Sequence, residues 1–208
     1  MATHAIGDAA IRMTLDAYAT ALGPTDALIP PARSPRLRIE HLQRIDPADL
    51  PRLAALGVVA SMQPTHATSD MPWVEERLGR ARLAGAYAWR TVLAAGINLA
   101  LGSDFPVESH RPLLGLYAAI TRQDAAGQPD GGWIPEEKLT PREALAGATL
   151  GAAFAAFAEA ENGRLLPGCR ADLTVLRLDP VTSPPANLLD ENAIAATIVD
   201  GKVAFQHP

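Results

Sequence analysis

The sequence predicts an α/β fold built on parallel strands and followed by a small all-β region. Short β-like runs alternate with helical segments four times without a detectable repeat, the pattern of parallel strands joined by helical crossovers. Beyond about residues 160–165 the grammar changes to β runs around a hairpin signal. The 208 residues, 48% hydrophobic and 20% charged, suit one ordinary domain or part of a larger one, with a packed interior.

The elements follow in order. A short strand, Ala2 to His4, leads through Gly7 to Asp8, placed to cap a helix whose apolar positions Ile11, Leu15, Tyr18 and Leu22 keep helical spacing. Pro24, Pro30, Pro31 and Pro35 mark a stiff loop. The second strand is Leu37 to His41. Asp46 and Pro47 then give a cap and a first-turn proline for a helix that Gly57 stops. Val58 to Gln63 reads as the third strand. A helical stretch from Pro72 to Ala95, broken near Gly79, hands over at Gly96 to a fourth strand, Ile97 to Leu101, which runs into Gly102, Ser103 and Asp104. Leu113 to Ile120 continues as helix, and the polar loop from Gln123 to Trp133 reads as an excursion over a binding face. Thr140, Pro141 and Glu143 form a capping box for a helix reaching about Ala158. In the tail, Asp172 to Leu178, Ile194 to Val199 and Val203 to Phe205 are β runs, the last two flanking Asp200 and Gly201.

Composition narrows the function. With 18 basic against 23 acidic residues the net charge is −5, and no basic block is present to neutralise a phosphate backbone, so nucleic acid is excluded as the expected partner. The longest apolar stretch, Ala144 to Ala158, is short of the ~20 residues a membrane crossing needs, so no membrane association is expected. The single cysteine, Cys169, rules out an internal disulfide, and the start MATHAIGD lacks a secretory pattern. A cytoplasmic location is the default expectation.

In parallel α/β folds, functional groups collect where strands end. The strand ends here hold His4, His41, Gln63 with His66 three residues on, and Asp104. Imidazoles and a carboxylate on one rim suit a borderline divalent cation such as zinc. Each residue also has an ordinary structural reading: His4 as a terminal residue, His41 as a surface histidine on an alternating strand, His66 as a loop residue before a helix, Asp104 as the holder of a turn. The joint case is stronger, because all four fall at the same phase of the repeating unit. His110 and His207 do not, and carry no assigned role.

The segments THAIGD at 3–8, RIEH at 38–41, SMQPTH at 61–66, LALGSDFPVE at 99–108, GGW at 131–133, TLGAA at 149–153 and PGCRADLTVL at 167–176 together resemble the metal-dependent amidohydrolase superfamily, in particular its YtcJ-like branch (amidohydrolase family 3), whose members include N-substituted formamide deformylases. The resemblance covers essentially the whole chain. It implies a (β/α)8 TIM-type barrel, of which this chain is the C-terminal half, with part of a small β-sandwich: residues 1–162 for strands five to eight of the barrel and 163–208 for the sandwich. It implies His4 and His41 as metal ligands, Asp104 as metal ligand and catalytic proton shuttle, and His66 as a substrate contact. The implied cofactor is a divalent metal, zinc by ligand type, as one or two ions. The implied reaction is hydrolysis of a carbon–nitrogen bond in a small-molecule, amide-like substrate of N-acyl or N-formyl type.

The departures from that pattern shape the expectation. The family's paired histidines on the first strand and bridging ligand on the fourth have no counterpart here, so the chain reads as the C-terminal portion of a longer enzyme, with Met1 standing where an apolar strand residue is expected. Four strands would leave open sheet edges, a liability for self-association and a route to a homo-oligomer. Alone, such a chain is expected to bind metal weakly and to hydrolyse little. The rival reading is a non-catalytic binding or regulatory module on the same scaffold. A doubly wound nucleotide-binding domain ranks lower, because no glycine-rich phosphate loop follows any strand.

Overall fold

The computed structural model describes residues 1–23 and 35–208, so the expected prolines Pro24, Pro30 and Pro31 lie outside the described residues. Four short strands, β1 (Ala2–Ala5), β2 (Arg38–His41), β3 (Val59–Met62) and β4 (Leu99–Leu101), pair in parallel in the order β1-β2-β3-β4. His4 is in register with Glu40, Glu40 with Ser61, and Ser61 with Ala100. Because every strand runs the same way, all four C-terminal ends, and the loops that follow them, share one rim.

Helices α1 (Asp8–Leu22), α2 (Leu50–Ala55), α3 (Pro64–Leu78), α4 (Trp89–Ala94), α5 (Pro112–Thr121) and α6 (Pro141–Ala146) fill the crossovers and the layer beyond them. Helix α1 forms as its spacing predicts: Ile11, Leu15 and Tyr18 are buried against the sheet, each contributing about 1.5–3 kcal/mol if fully transferred from water. The Tyr18 hydroxyl lies 2.6 Å from Thr3 Oγ1 and 2.8 Å from the Arg38 carbonyl, pinning the helix across β1 and β2. Alternation along the strands splits the sheet into two faces. Ile39, Ala60 and Met62 join the large core under the helices, whereas Val59 and Ala100 pack with Ala155 and Phe154 in a separate small cluster.

Three expectations are corrected. Asp8 does not cap α1; Gly7 holds the N-cap position, and the Asp8 carboxylate accepts from the Ala9 amide (2.9 Å) and pairs with Arg44 and Arg82. Helix α3 starts at Pro64, directly after β3, rather than at Pro72, and Pro72 lies inside it. Its first buried face is Thr65, His66 and Ala67, so no apolar periodicity announced it. The helix expected to run to Ala158 is interrupted by a π turn, Gly147–Gly151, before α7 (Ala152–Ala155). That segment crosses β4 at backbone contact. A methyl on Gly151 would lie 2.0 Å from the Leu99 carbonyl oxygen, and one on Gly147 would lie 2.9 Å from the Leu101 side chain.

Other signals fold as read. Thr140 and Glu143 form a reciprocal capping box on α6, and Asp46 accepts from the Ala48 amide at the turn before α2. The tail is an antiparallel sheet, β5 (Leu173–Leu176), β6 (Ile194–Val199) and β7 (Lys202–Gln206), in that order. Asp200 and Gly201, at φ 50° and 74°, supply the two left-handed residues that a tight hairpin turn requires. The loop after α5 folds back on the helix end. Arg122 donates to the Trp133 carbonyl, Trp133 returns an amide bond to the Arg122 carbonyl, and the Trp133 ring packs edge-on against Tyr87 at 5.6 Å. Among the described residues no helix is long and apolar enough to cross a membrane.

Candidate metal centre

The rim is where the backbone departs from ordinary strand geometry. His41 closes β2 at φ 77°, Leu42 follows at 44°, and Asp104 beyond β4 has φ 59°. Left-handed non-glycine residues cost of order 1–3 kcal/mol each and cluster where function requires a fixed side-chain direction. Here the turn brings the end of β2 toward the N-terminus of α3 and the loop after β4. One ligand-type atom from each of His41, His66 and Asp104 lies within 4.8 Å of the other two. The His41 and His66 rings stack at 5.7 Å, and His66 Nε2 is 3.6 Å from Asp104 Oδ2. His41 and His66 are buried, while the Asp104 side chain is 36% exposed, so the group opens to solvent on the carboxylate side. His4 is exposed, its ring edge-on to His41 at 4.4 Å.

Two glutamine side chains hold the imidazoles. His41 Nδ1 lies 3.0 Å from Gln63 Oε1, an interaction in which the ring must be the donor. His66 Nδ1 lies 3.1 Å from Gln43 Nε2, an interaction in which the ring accepts. Burial pushes the His66 pKa below its usual value, against the opposing pull of Asp104 and Glu108, so the ring is neutral at neutral pH. His66 Nε2 is buried without a hydrogen-bond partner, as is Thr65 Oγ1 beside it. Buried polar atoms are almost always paired, so two adjacent orphans mark a place where a bound atom belongs. Thr65, but not His66, lines a cavity of about 250 Å³ together with Pro64, Leu101, Ser103, His110 and Leu116. Imidazole nitrogens with a carboxylate oxygen are a donor set suited to zinc or a similar borderline cation.

Of the residues singled out in the sequence, the structure draws together His41, His66 and Asp104, while His4 stays outside that cluster, exposed and in ring contact with His41. His66, expected in a loop, sits in the first turn of α3, which fixes its direction. The sequence reading gave no role to Gln43 and Gln63. The available signal was local: Gln63 directly follows β3, and Gln43 stands two residues beyond His41, the last residue of β2.

A family model described as the amidohydrolase family matches residues 1–205. The chain belongs to the amidohydrolase family. Its relatives include YtcJ of Bacillus subtilis strain 168, which bears an amidohydrolase name and is 35% identical over 207 residues, covering 99% of this chain and 37% of YtcJ. The N-substituted formamide deformylase of Arthrobacter pascens is 30% identical over 211 residues, covering 99% of this chain and 36% of that enzyme. Among solved structures, an uncharacterized metal-dependent hydrolase from Pyrococcus horikoshii superposes with a TM-score of 0.75 at 29% identity, over 88% of this chain and 35% of its own. This amidohydrolase chain thus spans little more than a third of the length of the relatives it matches. The parallel sheet with helices and the small antiparallel sheet agree with a partial TIM-type barrel and β-sandwich.

Proposed function

We propose that the chain forms part of a metal-dependent hydrolase that cleaves a carbon–nitrogen bond in a small, amide-like substrate of N-acyl or N-formyl type. The observation that carries this reading is the convergence of His41, His66 and Asp104 on one rim, with a buried imidazole nitrogen left unpaired; Thr65 and Ser103, next to His66 and Asp104 in the chain, line a cavity. In this reading His4, His41 and Asp104 hold the cation, and His66 faces the substrate. A bound divalent cation would supply Lewis acidity and bring the pKa of water down to about 7. Asp104, whose side chain is exposed, takes a proton from the attacking water and delivers it to the departing nitrogen. His41 is held by Gln63 so that its ring keeps one orientation. The cavity beside Thr65 receives the acyl portion of the substrate, its apolar wall formed by Pro64, Leu101 and Leu116.

The 208-residue chain offers three of the ligands the family pattern calls for, so by itself it is expected to hold zinc weakly and to turn over N-formyl or N-acyl substrates slowly or not at all. The test is metal analysis of the purified chain against the double variant His41→Ala, Asp104→Ala. Loss of at least about tenfold in zinc affinity supports the site. Equal metal content in both removes it.

A further inference from the structure

The two glutamines at the rim are used in opposite senses. The Gln63 oxygen can only accept, so His41 carries its proton on Nδ1 and its Nε2 is a bare lone pair. The Gln43 nitrogen can only donate, so His66 Nδ1 is the lone pair. A ring protonated at both nitrogens could not accept from Gln43, so His66 is the neutral Nε2–H tautomer. That N–H is the buried atom left without a partner, and the nearest acceptor, Asp104 Oδ2, stands 3.6 Å away, beyond hydrogen-bonding reach. The Gln43 main chain is itself anchored: its backbone carbonyl accepts the Tyr87 amide at 2.6 Å, and the Tyr87 hydroxyl pairs with Asp70 of α3.

We propose that Gln63 and Gln43 are positioning residues that lock His41 and His66 in opposite tautomers, so that His41 presents a lone pair to the cation while His66 presents an N–H donor to the substrate oxygen that enters beside Asp104. This rests on the metal-dependent reading above and deepens it. Three clustered ligand atoms would otherwise suggest that both imidazoles bind the ion. The hydrogen bonds separate them: His41 has the arrangement of a metal-bound histidine, whose remote N–H is taken by a neighbouring oxygen. His66 has the reverse arrangement, and its unpaired N–H is a preorganised donor where a carbonyl oxygen gains negative charge.

The tautomers can be read without metal or turnover. Long-range proton–nitrogen correlation spectra of the full chain, labelled with nitrogen-15 histidine and recorded near neutral pH, should show His41 protonated at Nδ1 and His66 at Nε2. Finding His66 protonated at Nδ1 overturns the proposal. A gain-of-function variant adds a second readout that misfolding cannot imitate. In Gln43→Glu the carboxylate accepts from Nδ1–H, so His66 should switch tautomer and free Nε2 as a ligand, raising zinc affinity about tenfold. An unchanged spectrum and unchanged affinity in that variant also overturn it. Failure of the parent chain to bind zinc at all would instead sink the metal reading, while the spectra would still decide the tautomers.

Discussion

Two polar clusters, one at the end of α5 and one at the rim, meet solvent in different ways. At the end of α5, Arg122 is fully buried, yet its guanidinium lies over the rings of Trp89 (4.5 Å) and Trp133 (5.1 Å) and donates to the carbonyls of Trp133 and Tyr87. Burial draws its pKa down to about 10, against the pull of Glu137 and Glu136, so it still carries its charge at neutral pH. Each cluster keeps buried N–H groups without a hydrogen-bond partner, Arg122 Nη2 and Trp89 Nε1 in one and His66 Nε2 in the other, but the rim differs in its strained backbone, its two imidazoles and a carboxylate open to solvent. The difference separates architecture from chemistry. A buried charge enclosed by its own fold closes loops, while converging polar groups that open to solvent on one side can receive a ligand. The two are also coupled, since Arg122 holds the Tyr87 carbonyl and the Tyr87 amide holds Gln43.

The largest test of the contrast is Arg122→Met. It strips the Trp133 carbonyl of its side-chain donor, takes one of two donors from the Tyr87 carbonyl and leaves Glu137 without its facing cation, so unfolding stability should fall by about 3–5 kcal/mol, measured from urea midpoints. A loss below about 1 kcal/mol would mean the cluster is not architectural. His41→Gly makes the complementary test. Glycine adopts a φ of 77° freely, so relief of strain should offset the lost packing and keep stability within about 1 kcal/mol, while zinc affinity drops at least about tenfold. If stability collapses instead, the rim histidine belongs with the structural cluster.

The smallest effect concerns pH. His66 has its pKa lowered on folding, so the unfolded chain binds its proton more readily than the folded one. Its contribution to stability is therefore complete above the usual value of 6.5 and declines as pH falls through the window below it. Thermal melts at falling pH should show a shallower decline in His66→Phe than in the parent chain. Equal slopes would remove the link between burial and neutrality at this position.

How much of this was legible in the sequence depends on what each residue had to announce. The alternation of strands and helices, the capping box at Thr140 and the Asp200–Gly201 hairpin were readable, because each is a local rule that tertiary packing did not oppose. The start of α3 was hidden, since a helix that turns Thr65 and His66 inward toward a site forfeits the apolar stripe that marks a helix. The rim histidines and Asp104 were visible through their phase at strand ends. Their partners Gln43 and Gln63 were not, because an amide side chain carries no pattern beyond its position, and only the fold shows which of its two ends meets which ring.

The missing side chain at Gly151 reaches further than its size suggests. With the Leu99 carbonyl where a methyl carbon would sit, the outer segment rests directly on the main chain of β4, three residues upstream of Gly102 and five of Asp104. The placement of the Asp104 carboxylate is thus gauged from the strand that precedes it, and an added methyl at Gly151 would be felt first as a misaimed oxygen atom at the mouth.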